Sequence, residues 1–193
     1  MISEIESVLN FLVEIEKLKN IHRKTRPVGL ERYENSAEHS WHVCMAALML
    51  RDYADNDIDI TQVIKMLLVH DLGEIDAGDK IIYESETKAQ KDKELAGVER
   101  VFKLLPEKLE QECLLLWREF EEGATENARY AKAIDRIPPL LHNLHGNGHS
   151  WRENNISADK VFSVNARIEF AGEDIWRVIR KKLEQAVSDG ILK

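Results

Sequence analysis

At 193 residues, 44% of them hydrophobic, the chain is long enough to bury one sizeable core and short for two. A formal net charge of -8 at pH 7 excludes non-specific binding along a nucleic-acid polymer, which needs a basic surface to release counterions, but it leaves room for a small phosphorylated ligand held by a few local cations. With 32% charged residues, 7% aromatics, 9 Gly and 4 Pro, the composition favours helices over a many-turned β sandwich, and we expect one all-α domain over residues 1–193.

The opening Met1-Ile2-Ser3-Glu4-Ile5-Glu6 lacks the basic and continuous apolar stretches of a signal peptide. No run approaches the roughly 20 apolar residues of a membrane span. Cys44 and Cys113 lie inside apolar helical patterns without Cys-x-x-Cys spacing, and read as free thiols in a reducing compartment. Together these features point to a soluble, cytoplasmic protein with no membrane partner.

Ser3 with Glu6 forms a capping-box start, after which Ile5, Val8, Leu9, Leu12, Ile15 and Leu18 recur at helical spacing and predict a first helix with one apolar face. The period is lost from Ile21 to Asn35, where Pro27 and Gly29 break the chain and His22, Arg23, Lys24, Arg26 and Arg32 make a basic loop in an acidic protein. Such a loop is either a solvated connection or a cationic wall for an anion. Ser36 reads as the N-cap of a second helix running to about Tyr53, in which His39 shares a face with Val43, Ala46 and Leu50 and so points inward. His42 falls near the same face and reads as an ordinary core histidine.

After an acidic turn from Asp55 to Asp59, Thr61 caps a third helix whose Val63, Ile64, Met66, Leu67, Leu68 and Val69 are apolar almost all round, the pattern of a central, buried helix. It ends in His70-Asp71, with Gly73 as the stop. A polar segment from Glu74 to Glu84 follows. Helices over about Thr87 to Leu105 and Pro106 to Gly123 read as scaffold. A sixth helix, starting near Thr125, carries Asp135 among Ala131, Ile134 and Leu141 and is kinked or split by Pro138-Pro139. The segment His142 to His149 suits either a second metal site or a turn with surface imidazoles, and we adopt the turn. Ser157 caps a long last helix, ended by Gly190.

His39, His70, Asp71 and Asp135 each come from a helix whose apolar face must turn inward, so a bundle brings them to one core. Two buried carboxylates need neutralising, because an isolated ion in a medium of low dielectric loses tens of kcal/mol of solvation by Born estimates. One divalent cation cancels both charges, and two neutral imidazoles complete the protein's share of the ligands. Mixed nitrogen and oxygen donors suit Mn, Fe, Co, Ni or Zn rather than Ca. Such an ion activates bound water and polarises a phosphoryl group. Holding a phosphate dianion needs further cations, and Arg23, Arg26 and Lys80 are the nearest in sequence.

His39, then His70-Asp71, then Asp135 within Lys132-Ala133-Ile134-Asp135-Arg136, resembles the H...HD...D signature of the HD-domain metal-dependent phosphohydrolases. The flanks Ser36-Ala37-Glu38-His39-Ser40 and His70-Asp71-Leu72-Gly73-Glu74, with Asp79-Lys80 beyond, resemble its 5'-deoxynucleotidase branch. The resemblance runs from about Leu9 to Leu183. It implies an all-helical domain in which His39, His70, Asp71 and Asp135 bind one divalent metal, and hydrolysis of deoxyribonucleoside 5'-monophosphates by a homodimer. It further implies catalytic work at Glu74 and Asp79: Glu74 orienting the attacking water and Asp79 transferring a proton at the leaving 5'-oxygen, two roles that the sequence leaves interchangeable. Arg23 is the best match to the family's phosphate-side Arg, with Arg26 second, but this loop lacks the Trp often found beside that Arg. Other expectations in the same fold are hydrolysis of a triphosphate, cyclic dinucleotide or alarmone, or a non-catalytic nucleotide sensor; Glu74 and Asp79 weigh against the sensor.

Overall fold

The computed structural model describes residues 2–85 and 87–193. The described residues form helices and turns with no β-strand, apart from an isolated bridge between His22 and Asn35. Helix α1 spans Ile2–Ile15 and passes into a 3-10 turn, Glu16–Asn20, so the apolar period that predicted a helix through Leu18 is divided. Leu18 is buried and Val8 and Ile15 pack beside it, whereas Ile5, Leu9 and Leu12 stay exposed, so half of the predicted apolar face is open to solvent.

The basic loop is less irregular than its sequence suggests. Arg23 N donates to Glu34 O, Glu34 N to Thr25 O and Ser36 N to Ile21 O, which folds residues 21–36 back on themselves and turns Arg23 inward. Helix α2, Ser36–Leu50, starts one residue earlier than predicted: Asn35 is the N-cap and forms a reciprocal capping box with Glu38. The Ser36 hydroxyl is thereby freed for another partner. Helix α3, Ile60–Val69, is likewise capped by Asp59, whose side chain accepts from Thr61 N and Gln62 N, and not by Thr61. A carboxylate at the N-cap satisfies two orphan amides at once.

Helix α3 packs against α2 and against two later helices, α6 (Glu107–Glu122) and α7 (Glu126–Ile134), which makes it central. Val63, Met66 and Leu67 are fully buried, while Leu68 is exposed. Gly73 is not a left-handed stop. Its backbone is right-handed, with φ -65°, and what it supplies is space: a Cβ there would lie 2.8 Å from Glu94 Cγ and 2.9 Å from Val98 Cγ2. Those residues belong to α5, Lys88–Phe102, which packs on the short helix α4, Glu74–Ala77.

The sixth predicted helix is split at Asp135-Arg136 into α7 and α8, Ile137–His145, because prolines fit the first turn of a new helix but not the middle of an old one. His142 lies in α8 and is buried, which corrects the reading of it as a surface imidazole; His145 is exposed and His149 opens α9, His149–Glu153. The long last helix is two: α10, Ala158–Asn165, then a 3-10 turn, then α11, Glu173–Ser188. The break falls where Gly172 meets the chain after α2, since a Cβ there would be 2.4 Å from Tyr53 O.

Two apolar clusters result. The larger joins α2, α3, α7, α8 and α11; the smaller holds Leu18, Leu72, Val98, Val101, Phe102, Leu105 and Trp117. The turn at residues 70–73 lies where they meet: Leu72 is buried in the smaller cluster, and Trp117 Nε1 donates to His70 O at 3.2 Å.

Candidate metal centre

His39 sits in the first turn of α2 with no exposed surface, and its Nε2 is 2.8 Å from Asp135 Oδ1 and 3.9 Å from Asp71 Oδ2. His70 caps the C-terminus of α3. Its Nδ1 donates to Leu67 O at 2.7 Å, which aims Nε2 at Asp71 Oδ1, 3.0 Å away, and Asp135 Oδ1, 3.6 Å away. Three helix ends thus bring His39, His70, Asp71 and Asp135 to one point. They do so because each lies at a terminus, where a side chain can leave the apolar packing without breaking it.

This donor set fits a divalent cation. Nε2 of His70 is buried with no hydrogen bond of its own, although it faces two carboxylates. Burial and the nearby Arg23 hold His39 down at about 4, so its imidazole is neutral at ordinary pH and able to ligate. Burial alone would raise Asp71 and Asp135, but His70 and Arg23 pull Asp71 down, and the hydrogen bond to His39 with the imidazole of His70 close by holds Asp135 well below the usual carboxylate range. Against burial, Asp71 and Asp135 raise His70 well above its ordinary range, so its imidazole keeps a proton that a cation at Nε2 would displace; with that proton gone, two neutral nitrogens face two ionised oxygens, a site for a metal of intermediate hardness.

Around this group lie more acids than cations. Arg23 Nη1 is 3.0 Å from Asp71 Oδ2, 3.4 Å from Asp79 Oδ1 and 3.9 Å from Glu74 Oε1, and its Nε is 3.5 Å from Glu34 Oε2. Burial works against its charge, but Asp71, Asp79 and Glu74 raise Arg23 above the ordinary guanidinium range. Burial and Asp71 push Glu74 well above the normal carboxyl range, and they push Asp79 upward as well against Arg23. Glu74 is fixed by the Ser36 hydroxyl, which donates to its Oε2 at 2.6 Å.

Arg26 and Lys80 lie apart from this group. Arg26 reaches Glu31 and stacks over Tyr33, beside a separate cavity of about 230 Å³ next to His142 and Arg152. Lys80 donates to Ser85 O and Gln90 Oε1, on the wall of a cavity of about 300 Å³ that also touches Glu74. The cavity that opens onto His70, Asp71 and Asp135 has a volume of about 440 Å³, and its cations are others, among them Lys132, Arg136 and Arg167.

The sequence pattern did not reveal Glu34, Ser36 or Arg136. Glu34 is fully buried behind His39, 3.6 Å from its Nδ1, and accepts from the Thr25 hydroxyl; burial raises it to about 7. With His42 and His142 it forms a second group whose donor atoms lie within 4.8 Å of one another. Its only signal was the Glu next to the true N-cap. Arg136 had a clearer one, an Arg directly after Asp135 at the point where Pro138-Pro139 divide the helix.

A family model described as HD domain matches residues 15–176. The 5'-deoxynucleotidase HDDC2 of Dictyostelium discoideum is 30% identical over 71% of this chain and 76% of its own, and that of Xenopus laevis is 29% identical over 72% and 69%. A crystal structure described as a predicted metal-dependent phosphohydrolase from Magnetospirillum magnetotacticum MS-1 superposes with a TM-score of 0.92, at 39% identity over 98% of both chains.

Proposed function

Since the chain belongs to the HD-domain family, we propose that it is a metal-dependent 5'-deoxynucleotidase, which hydrolyses deoxyribonucleoside 5'-monophosphates to deoxynucleoside and inorganic phosphate. The observation that carries this reading is the convergence of His39, His70, Asp71 and Asp135, with the Nε2 of His70 left without a hydrogen bond. These four residues would hold one divalent transition metal, Mn, Fe, Co, Ni or Zn. When bound, such an ion acidifies water and draws charge from a phosphoryl oxygen.

The chain's own groups do the rest. Glu74, held in place by Ser36, orients the attacking water towards phosphorus. Asp79, raised by burial, keeps a proton at higher pH than a surface carboxyl and gives it to the departing 5'-oxygen. Arg23 sits between these carboxylates and keeps them close together. The names carried by the curated relatives support the monophosphate substrate.

The domain extends beyond the matched segment to the end of the chain, as Leu183, Ala186 and Leu192 belong to the main core. The active form is a homodimer, a reading supported by Trp41, Met45, Met49 and Tyr53, exposed apolar side chains four residues apart along α2 and the turn after it. The protein works in the cytoplasm on a small nucleotide and not on a nucleic-acid polymer, consistent with free Cys44 and Cys113 and the net charge of -8. Among the described residues no helix is long and apolar enough to cross a membrane.

The test is phosphate release by protein reconstituted with Mn or Co, over ribo- and deoxynucleoside mono-, di- and triphosphates. Turnover of the deoxy monophosphates is expected. Turnover confined to triphosphates, or none at all, overturns the reading.

A further inference from the structure

Arg23 is the cation in contact with the metal group, and it is heavily engaged there. Arg23 already faces four carboxylates within 3.9 Å, and its charge is committed to them. A phosphate dianion at this site therefore calls for a further cation with unengaged N–H groups.

Arg136 is in the opposite condition. Its Nε and Nη1 are buried and have no hydrogen-bond partner. Buried N–H groups left unsatisfied are unfavourable unless an acceptor completes them. It follows Asp135 in the chain and lines the cavity of about 440 Å³ that opens onto His70, Asp71 and Asp135. It also lines the cavity of about 300 Å³ beside Glu74 and the cavity of about 530 Å³ beside Arg167 and Phe170, so the three spaces meet at its side chain. Arg167, exposed at the rim, lines two of them.

A planar guanidinium sets Nη1 and Nη2 side by side, a fork that matches the paired oxygens of a phosphate, and Nη1 of Arg136 has no protein acceptor. We infer that Arg136, with Arg167 at the rim, is an anion-binding element of this site, additional to Arg23, and grips the phosphoryl group of the substrate. This rests on the phosphohydrolase reading for the identity of the substrate, but not for the chemistry of the anion. Arg136 is a substrate-binding residue: it supplies charge and orientation and takes no proton.

The test uses metal-loaded full-length protein and inorganic phosphate as the probe, titrated calorimetrically into wild type, Arg136→Gln and Arg167→Gln, with kcat and KM for deoxyadenosine 5'-monophosphate measured in parallel. Arg136→Gln should weaken phosphate binding and raise KM, each by tenfold or more, with unchanged metal content; Arg167→Gln should weaken phosphate binding by a few-fold. Wild-type phosphate affinity in Arg136→Gln overturns the assignment. Should that variant not fold, Arg136→Lys decides, since it keeps the charge and loses the fork: weaker binding supports the assignment and unchanged affinity overturns it. If the wild type hydrolyses no monophosphate while Arg136→Gln still loses phosphate, the substrate reading fails and the anion site stands.

Discussion

Arg23 Nη1 lies 3.0 Å from Asp71 Oδ2, joining the loop before α2 to the turn after α3 across 48 residues of chain. Both side chains are almost entirely buried, and Glu34, Glu74 and Asp79 crowd the same guanidinium. Replacing it by a neutral side chain leaves buried carboxylates without their cation. Arg23→Met should therefore cost about 3–5 kcal/mol at neutral pH. The sign of its pH dependence follows from the acids: Arg23 lowers the folded-state pKa of each, so its contribution is present where they ionise and disappears as falling pH protonates them. Urea unfolding at pH 8 and pH 5 should show the larger penalty at pH 8. An equal or larger penalty at pH 5 would contradict the proposed charge arrangement.

Asp71 and Asp79 should separate metal retention from turnover. Asp71→Ala removes one of two anionic donors, and metal content measured after gel filtration should fall to background along with activity. Asp79→Asn keeps the shape and loses the proton, so metal content should stay at the wild-type level while kcat drops by roughly 10²- to 10⁴-fold. Full activity in Asp79→Asn removes it from the proton transfer.

Gly73 offers a check on the fold beneath the site. A Cβ would press on Glu94 and Val98 of α5 at under 3.0 Å, and the contact to the Glu94 carbonyl is with backbone that cannot rotate away. Gly73→Ala should destabilise the protein by about 1–3 kcal/mol, read as a lower urea midpoint with an unchanged slope. A neutral result would mean that α4 and α5 are not packed as closely as described.

The exposed stripe on α2 predicts the assembly. Met45→Glu with Met49→Glu places two charges in the centre of the apolar line, and light scattering after gel filtration should show dimers for the wild type and monomers for the double variant. Dimers that persist in the double variant would move the interface elsewhere, with the exposed Ile5, Leu9 and Leu12 of α1 as the next face to test.

Much of this organisation is visible in the residues themselves. His39 and Asp135 could be placed inward because Val43, Ala46, Ala131 and Ile134 define the buried side of their helices, and Pro138-Pro139 marked the division between α7 and α8. Local periodicity fails where the cause is distant. The last helix breaks at Gly172 because Tyr53 is there, more than a hundred residues earlier in the chain, and Gly73 is small because α5 crosses it. Caps shifted by one or two residues, from Ser36 to Asn35 and from Thr61 to Asp59, because neighbouring polar residues compete for the same amides. That competition has a consequence at the site, since the displaced Ser36 hydroxyl holds Glu74. Glu34 and Arg136 stayed hidden for a related reason: a charged residue in a loop or a helix break has no periodic neighbours to show which way it points.

Anomalous diffraction from crystals of the Mn-loaded protein measures directly whether one ion is shared by His39, His70, Asp71 and Asp135. A single strong peak is expected about 2.0–2.3 Å from the Nε2 atoms of both histidines and from an oxygen of each aspartate. A peak held by His70 and Asp71 but more than about 4 Å from His39, well beyond a metal–nitrogen bond, would contradict it.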